Sequence, residues 1–427
     1  MEIATLPFDE LLSFVVDNRG RTCPTASNGL PLIATNCISN EHLYPTKENV
    51  RYIDQETYDN WFRAHPRPGD VIFVLKGAPG RCALVPDPVD FCIAQDMVAV
   101  RADREKIDPQ YLFAALRSPM IQESIDRMHV GTMIPHFKKG DFNKLIIPLP
   151  DRPIQEFIGS VHMALVERIE LNRRMNETLE AMARAIFKDW FFDFGPTRAK
   201  MEGRAPYLAP DIWSLFPDRL DEEEKPEGWN NGALSNIADL NPETWTRSTY
   251  PNAVEYVDLS NTKWGTIEVV TRFEKAVAPS RAQRILRPGD TIVGTVRPGN
   301  GSYAFVSAKG LTGSTGFAVL RPKKNIFREL VYLAATSRDN IDRLSHQADG
   351  GAYPAVRPEI VAATEIMVAP DSIFVAFNDA SAAFFERIEA NKSENQTLAA
   401  TRDLLLPRLM SGEIRAKDAE TLIEEVA

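Results

Sequence analysis

Residues 167–181 read ERIELNRRMNETLEA and residues 386–400 read ERIEANKSENQTLAA; nine of the fifteen positions match, 219 residues apart, in a chain of 427. The chain therefore carries two copies of one long helix, each following a strand-rich lobe of similar length. Outward from the helix the repetition continues. Arg67-Pro68-Gly69-Asp70 recurs as Arg287-Pro288-Gly289-Asp290, followed by the apolar runs VIFVL (71–75) and TIVGTV (291–296). Each reads as a Pro-Gly turn feeding a strand. PLIATN (31–36) has a weaker counterpart in EYVDLSN (255–261). QYLFAALRS (110–118) corresponds to ELVYLAATS (329–337), both patterned as short amphipathic helices, and GTMIP (131–135) to GGAYP (350–354). A short β-rich run, LIIPLP or EIMVAP, then leads into each long helix. Shared order and spacing predict an internal pseudo-two-fold repeat.

The length exceeds what one ordinary core accommodates, so two domains are expected. A hydrophobic content of 44% with 25% charged residues is that of a globular protein. No run approaches the ~20 apolar residues of a membrane span, and the opening MEIATLPFDELL lacks the basic flank and apolar centre of a secretion signal. Cys23, Cys37, Cys82 and Cys92 all fall in the first lobe, without a CxxC pair. The second copy does without them, which points to reduced thiols in a cytoplasmic protein rather than a disulfide framework or zinc site. A net charge of −10 argues against indiscriminate nucleic-acid binding. A specific binder with its basic residues gathered on one face stays open.

The fold expected is α+β: two similar mixed lobes, residues 1–150 and 229–370, separated by long helices over 151–194 and 371–412. An irregular connector (195–228) and a tail (413–427) complete the chain. Asp151-Arg152-Pro153 and Asp371-Ser372 are helix entrances. Gly195-Pro196 and Gly412 are exits, where glycine takes the left-handed cap. About 40 residues at ~1.5 Å each make a rod of roughly 60 Å. On a heptad, Ile158, Leu165, Asn172, Leu179 and Ile186 share one seam position, and Phe377, Phe384, Asn391, Leu398 and Leu405 share it in the second copy. Val161, Ile169, Met175 and Met182 adjoin the first seam, Ile388 and Leu409 the second. A narrow apolar stripe on a charged rod buries itself best against another rod. Antiparallel pairing as a coiled coil would bring Asn172 and Asn391 together mid-stripe, each amide satisfying the other and penalising slipped registers. It would also put one lobe at each end, as a spacer requires.

These features resemble a known family. Phe192-Asp193-Phe194-Gly195-Pro196, the duplicated helix and the terminal LLLPRLMSGEI (404–414) are similar to the specificity subunit of type I restriction-modification enzymes, over essentially the whole chain. The resemblance implies that each lobe is a target recognition domain reading one half of a bipartite sequence in double-stranded DNA. It implies helices that dock two methyltransferase (modification) subunits, and restriction (helicase-nuclease) subunits joining that assembly. Adenine methylation and cleavage, with their S-adenosylmethionine, ATP and Mg, would lie in those partners, leaving this chain non-catalytic and without cofactor or metal. The residues agree. Asp87-Pro88-Val89 and Asn241-Pro242-Glu243 fail the adenine-methylation motif at the next residue. Gly299-Asn300-Gly301 is a lone G-x-G, and neither a Walker loop nor HExxH occurs.

Three regions in each copy suit DNA, because base reading needs paired donors and acceptors while phosphates need cations, hydroxyls or backbone amides. The first is the turn after the Arg-Pro-Gly-Asp strand, with Lys76 and Arg81 in one copy and Arg297, Asn300, Ser302 and Tyr303 in the other. An ordinary hairpin with solvent-facing basic residues would read the same way. The second is GTMIPHFKKGDFNK (131–144), with Thr132, His136, Lys138, Lys139 and Lys144, and its thinner counterpart GGAYPAVRPE (350–359), with Tyr353 and Arg357. Solvated surface is the alternative. The third is GLTGSTGFAV (310–319), with Ser314 and Thr315, set against DFCIAQDMVAV (90–100); a tight turn alone would explain it. Unlike chemistry at matching positions suits an asymmetric target. The competing reading is a protein-binding scaffold, two lobes held by a coiled coil.

Overall fold

The computed structural model describes residues 3–18, 20, 22–47, 49–128, 135–351 and 353–414. Packing divides the chain into two compact units, residues 1–174 with 391–427, and residues 175–390. The division falls within both long helices, so each unit holds one lobe and half of each helix. No helix among the described residues is long and apolar enough to cross a membrane.

In the first unit, strands β1 (Ala4–Pro7), β2 (Leu12–Val16), β3 (Leu30–Ile33) and β4 (Arg51–Ile53) lead to helix α1 (Gln55–Asn60). Strands β5 (Val71–Val74), β6 (Cys82–Leu84), β7 (Cys92–Ile93) and β8 (Met97–Ala102) follow, then helices α2 (Pro109–Arg117) and α3 (Pro119–Met128) and strand β9 (Ile146–Leu149). An antiparallel sheet runs β2-β8-β5-β6, a second runs β4-β3-β7, and β1 pairs with β9. The unbroken apolar runs of β5 and β8 mark strands buried on both faces. The two-residue alternation then sorts the side chains. Val71, Phe73, Val98 and Val100 pack with α2, while Ile72, Val74, Met97 and Ala99 pack against Ile33 and Ile93 of the smaller sheet. All four cysteines are buried thiols outside any disulfide.

The second unit repeats the plan. The connector carries α5 (Gly195–Met201) and α6 (Pro210–Trp213), so it is less irregular than its prolines suggested: both helices place proline in the first turn, where its missing N–H costs nothing. There follow β10 (Asn230–Ala233), α7 (Leu234–Ile237), β11 (Ala238–Leu240), β12 (Ala253–Val257), β13 (Thr262–Lys263), β14 (Thr266–Ile267), β15 (Thr271–Glu274), β16 (Ala282–Ile285), β17 (Thr291–Gly294), β18 (Tyr303–Phe305), β19 (Leu311–Ser314) and β20 (Phe317–Pro322). Helices α8 (Arg328–Ala335), α9 (Arg338–His346) and α10 (Pro358–Ala362) and strand β21 (Glu365–Val368) close the lobe. Its sheets run β11-β20-β17-β18 and β15-β12-β19-β16, with β10 paired to β21. The registers coincide at a constant offset: Val71 faces Val100 in one unit and Thr291 faces Leu320 in the other.

The repeated Arg-Pro-Gly-Asp turn has a job its sequence only half discloses. Gly69 and Gly289 take φ of 82° and 92°, which favours glycine. The buried Asp70 carboxylate accepts from the Arg67 N–H and, bidentately, from Arg101, at 2.8 Å each. Asp290 does the same with the Arg287 N–H and Arg321, again at 2.8 Å.

The long helices α4 (Arg152–Phe191) and α11 (Asp371–Met410) each span 40 residues and pack antiparallel in both units. In the first unit Ile158, Met163 and Val166 share a core with Leu405, Leu406 and Leu409, and Arg168 reaches Glu394 at 2.7 Å. In the second, Phe191 stacks on Phe374 at 5.9 Å and Phe187 meets Phe377 at 6.1 Å. Asn172 and Asn391 are both completely buried in the stripe. The Asn172 amide donates to Oδ1 of Asn395 at 2.9 Å, one turn beyond Asn391. Met182, assigned to the edge of the seam, is 47% exposed; Ala183, Phe187 and Trp190 are buried instead, as a 3.6-residue repeat drifts off a strict heptad. The first exit also differs. Phe194, not Gly195, takes the left-handed conformation at φ 53°. Gly195 opens α5, where a Cβ would lie 2.0 Å from an Asp189 carboxylate oxygen. Gly412, at φ 72°, takes the left-handed conformation expected of it.

His162 of α4 is buried against Phe113, and neither ring nitrogen has a hydrogen-bond partner. Burial, reinforced by Arg117 and Arg402, pushes its pKa down to about 3 from 6.5. The imidazole is neutral in the fold and takes a proton on unfolding below pH 6.5. Its contribution to stability is therefore complete above that pH and is lost as pH falls toward 3, at roughly 1.4 kcal/mol per pH unit. His162→Leu should flatten stability between pH 6.5 and 5 in urea denaturation; an unchanged slope relative to wild type would refute this.

Candidate nucleic-acid interface

In the first unit the turn after β5 and the basic segment before β9 lie side by side. The Gly77 N–H donates to the Pro135 carbonyl at 2.9 Å and the Phe137 N–H to the Leu75 carbonyl at 2.8 Å, pairing Lys76 with His136. The segment's alternating composition explains its anchorage. Phe137 and Phe142 turn inward, their rings 5.8 Å apart and Phe137 6.0 Å from Phe73, leaving Lys138, Lys139 and Lys144 exposed. The cationic patch is partly offset: Lys139 pairs with Asp17 at 2.9 Å and Lys144 with Asp141 at 2.7 Å. The lysine contact, aided by Lys138 and His136, holds the Asp141 carboxyl below its ordinary range. Lys76 and Arg81 are exposed and His136 is half-buried. Thr132 lies outside the described residues.

The second unit builds the same frame. The Arg297 N–H donates to the Pro354 carbonyl at 2.7 Å and the Val356 N–H to the Thr295 carbonyl at 2.9 Å, pairing Val296 with Ala355. Bond by bond, Gly77 corresponds to Arg297, Lys76 to Val296, His136 to Ala355 and Lys138 to Arg357. The position of Gly77 requires positive φ, 89° there and 48° at Arg297. Glycine adopts it freely, whereas an L side chain bears roughly 1–2 kcal/mol of strain. The Arg297 guanidinium lies over the Tyr353 ring, 4.7 Å from its centroid, and Tyr353 is 72% exposed. Asn300, one residue more than the first turn contains, is exposed, as is Arg357 at the start of α10.

Three expected residues are not at the surface. Ser302 is buried and donates its hydroxyl to the Leu259 carbonyl at 3.0 Å. Tyr303, 7% exposed, sits in β18 with its ring edge-on to Trp264 and Tyr332. Ser314 ends buried β19, where its hydroxyl accepts from the Gly316 N–H at 3.3 Å. Tyr303 and Ser314 lie in strands and Ser302 immediately before one, so their polarity serves the fold. Thr315 remains half-buried, its N–H donating to the Arg281 carbonyl at 2.8 Å.

One exposed residue escaped the sequence reading. Trp264, 55% exposed, tips the β13–β14 hairpin at φ 46° with Gly265 at 87°. Two successive positive φ values define a type I′ turn, usually signalled by Asn-Gly or Asp-Gly rather than Trp-Gly. The Trp264 N–H donates to the Gly301 carbonyl at 2.7 Å, and its ring covers Gly301 so closely that a Cβ there would lie 2.6 Å away. Trp264 thus adjoins Asn300. Among the described residues no group of His, Cys, Asp and Glu is arranged to hold a metal ion.

Residues 19–181 match the family described as the type I restriction modification DNA specificity domain. The chain is 25% identical to the type I restriction enzyme HindI specificity subunit of Haemophilus influenzae, over 82% of this chain and 87% of that one. It is 21% identical to the MjaIX specificity subunit of Methanocaldococcus jannaschii, over 91% and 88%. The crystal structure of a type I restriction-modification S subunit from M. genitalium shares the fold with a TM-score of 0.53 at 16% identity, covering 96% of both chains. With its duplicated lobes and paired long helices, this chain is similar to the specificity subunits of type I restriction enzymes.

Proposed function

We propose that this chain reads an asymmetric bipartite sequence in double-stranded DNA, one half-site per lobe, with α4 and α11 setting the interval between the half-sites. One observation carries the reading: both lobes build the same hydrogen-bonded turn but dress it differently. A basic residue recurs at the position of Lys138 and Arg357, as a sequence-independent phosphate contact requires. The position of Gly77 and Arg297 changes, as reading different bases requires. Lys76, Arg81, His136, Lys139, Lys144, Asn300, Thr315, Tyr353 and Trp264 complete the contact surface. The helices dock two methyltransferase subunits, to which restriction subunits add. Methyl transfer from S-adenosylmethionine and ATP- and Mg-dependent cleavage belong to those partners, in the cytoplasm, and this chain is non-catalytic.

Methylation-sensitive sequencing of host DNA tests this directly, since it reads both half-sites and their gap. A symmetric or undivided motif would sink the proposal. In the assembled complex, Lys138→Ala with Lys139→Ala should weaken binding across all sequences. It should also lower the salt slope by about one for each phosphate that is no longer neutralised. An unaltered slope would remove that patch from the interface.

A further inference from the structure

We infer that Arg297 reads a guanine through the major groove in the half-site of the second lobe, and that Tyr353 holds the guanidinium ready to do so. This rests on the DNA-reading function proposed above. The argument begins with the backbone. The residue after Val296 holds positive φ, with its N–H committed to the Pro354 carbonyl at 2.7 Å and its carbonyl accepting from the Asn300 N–H at 2.9 Å. The first lobe fills the equivalent place with Gly77, the residue that bears no strain there. The second lobe fills it with a long cation. A strained arginine where the same fold accepts glycine is not accounted for by packing, because Arg297 is exposed. Strain of this kind persists where a function uses the side chain.

The side chain is equally committed. Its guanidinium lies 4.7 Å from the centroid of Tyr353, itself 72% exposed, so that a planar fork is stacked on an outward-facing ring. Stacking restricts the rotamers that binding would otherwise have to freeze, which raises affinity without a new contact. Arginine's two parallel donors match the O6 and N7 acceptors of guanine, and no other base edge in the major groove presents two acceptors. Asn300 and Trp264 adjoin the same turn at Gly301. The first lobe, with glycine at this position, lacks the equivalent reader, so this contact belongs to one half-site only.

The test uses the full chain assembled with its modification subunits, on duplexes carrying the motif found by methylation sequencing. Wild type, Arg297→Gly and Arg297→Lys are compared while each guanine of the half-site is replaced by 7-deazaguanine, which lacks only N7. The expected result is one guanine whose replacement weakens wild type several-fold and leaves Arg297→Gly unaffected. At that base pair Arg297→Gly should lose discrimination roughly ten- to hundredfold. Arg297→Gly should melt no lower than wild type, since glycine relieves the strain. Arg297→Lys should lose the same discrimination with its salt slope intact, because charge survives and the fork does not. Discrimination retained at every position in both variants would overturn the assignment, as would a loss of discrimination confined to an A·T pair. A wild-type complex with no sequence preference at all would instead overturn the underlying DNA-reading function.

Discussion

Replacing Asp70 with alanine should cost the first unit roughly 3–5 kcal/mol of stability. Its carboxylate is almost wholly buried and accepts three hydrogen bonds, two from Arg101 and one from the Arg67 N–H, all at 2.8 Å. Truncation leaves a guanidinium only about a quarter exposed without its counter-ion, and the turn without its cap. The equivalent Asp290→Ala should cost less. Arg321 also binds Glu243, which in turn holds Arg287 at 2.6 Å, so the second lobe keeps a counter-ion when the first does not. Urea denaturation of the two variants checks both the size and the order. A loss for Asp70→Ala below about 1 kcal/mol would show that the pair is a surface contact in energetic terms. Exchanging Asp70 and Arg101 together for apolar residues should recover much of the loss, because no buried charge is then left alone.

The second large effect is expected at Phe377, where alanine should destabilise the second unit by about 3–5 kcal/mol. Phe377 is fully buried and sits among three aromatic rings of α4, Phe187 at 6.1 Å, Trp190 at 5.9 Å and Phe191 at 5.2 Å. Removing it opens a cavity between rings that are too large to collapse into it, and deletes edge-to-face contacts with Trp190 and Phe191. The loss falls on the helix pair, so under the proposed function the variant should also lose sequence-specific binding in the assembled complex at temperatures where wild type retains it. Calorimetry that placed its melting transition within a degree of wild type would contradict this packing.

How far these residues could be foreseen differs from case to case. The antiparallel pairing of α4 and α11 was legible because a charged rod with one apolar stripe has few ways to bury it. The partner of Asn172 was not, since a shift of one turn separates Asn391 from Asn395 without changing the stripe. Phe194 was missed because glycine at 195 promised a left-handed cap, whereas crowding against Asp189 is what requires the absent side chain. Ser302, Tyr303 and Ser314 looked available because turn residues are usually exposed; where a turn ends and a strand begins depends on pairing with Leu259, Tyr332 and the neighbouring strands.

By itself the sequence determined the duplicated plan, the Pro-Gly turns, the two 40-residue helices and their antiparallel seam. Those depend on local turn chemistry and on periodicity, which a chain displays residue by residue. Only the tertiary structure decided that Gly77 and Arg297 occupy the same place, that Asp70 and Asp290 each hold an arginine 31 residues away, and that Trp264 stands beside Asn300. These are hydrogen bonds and packing contacts between segments tens of residues apart, and no spacing within either segment records its partner.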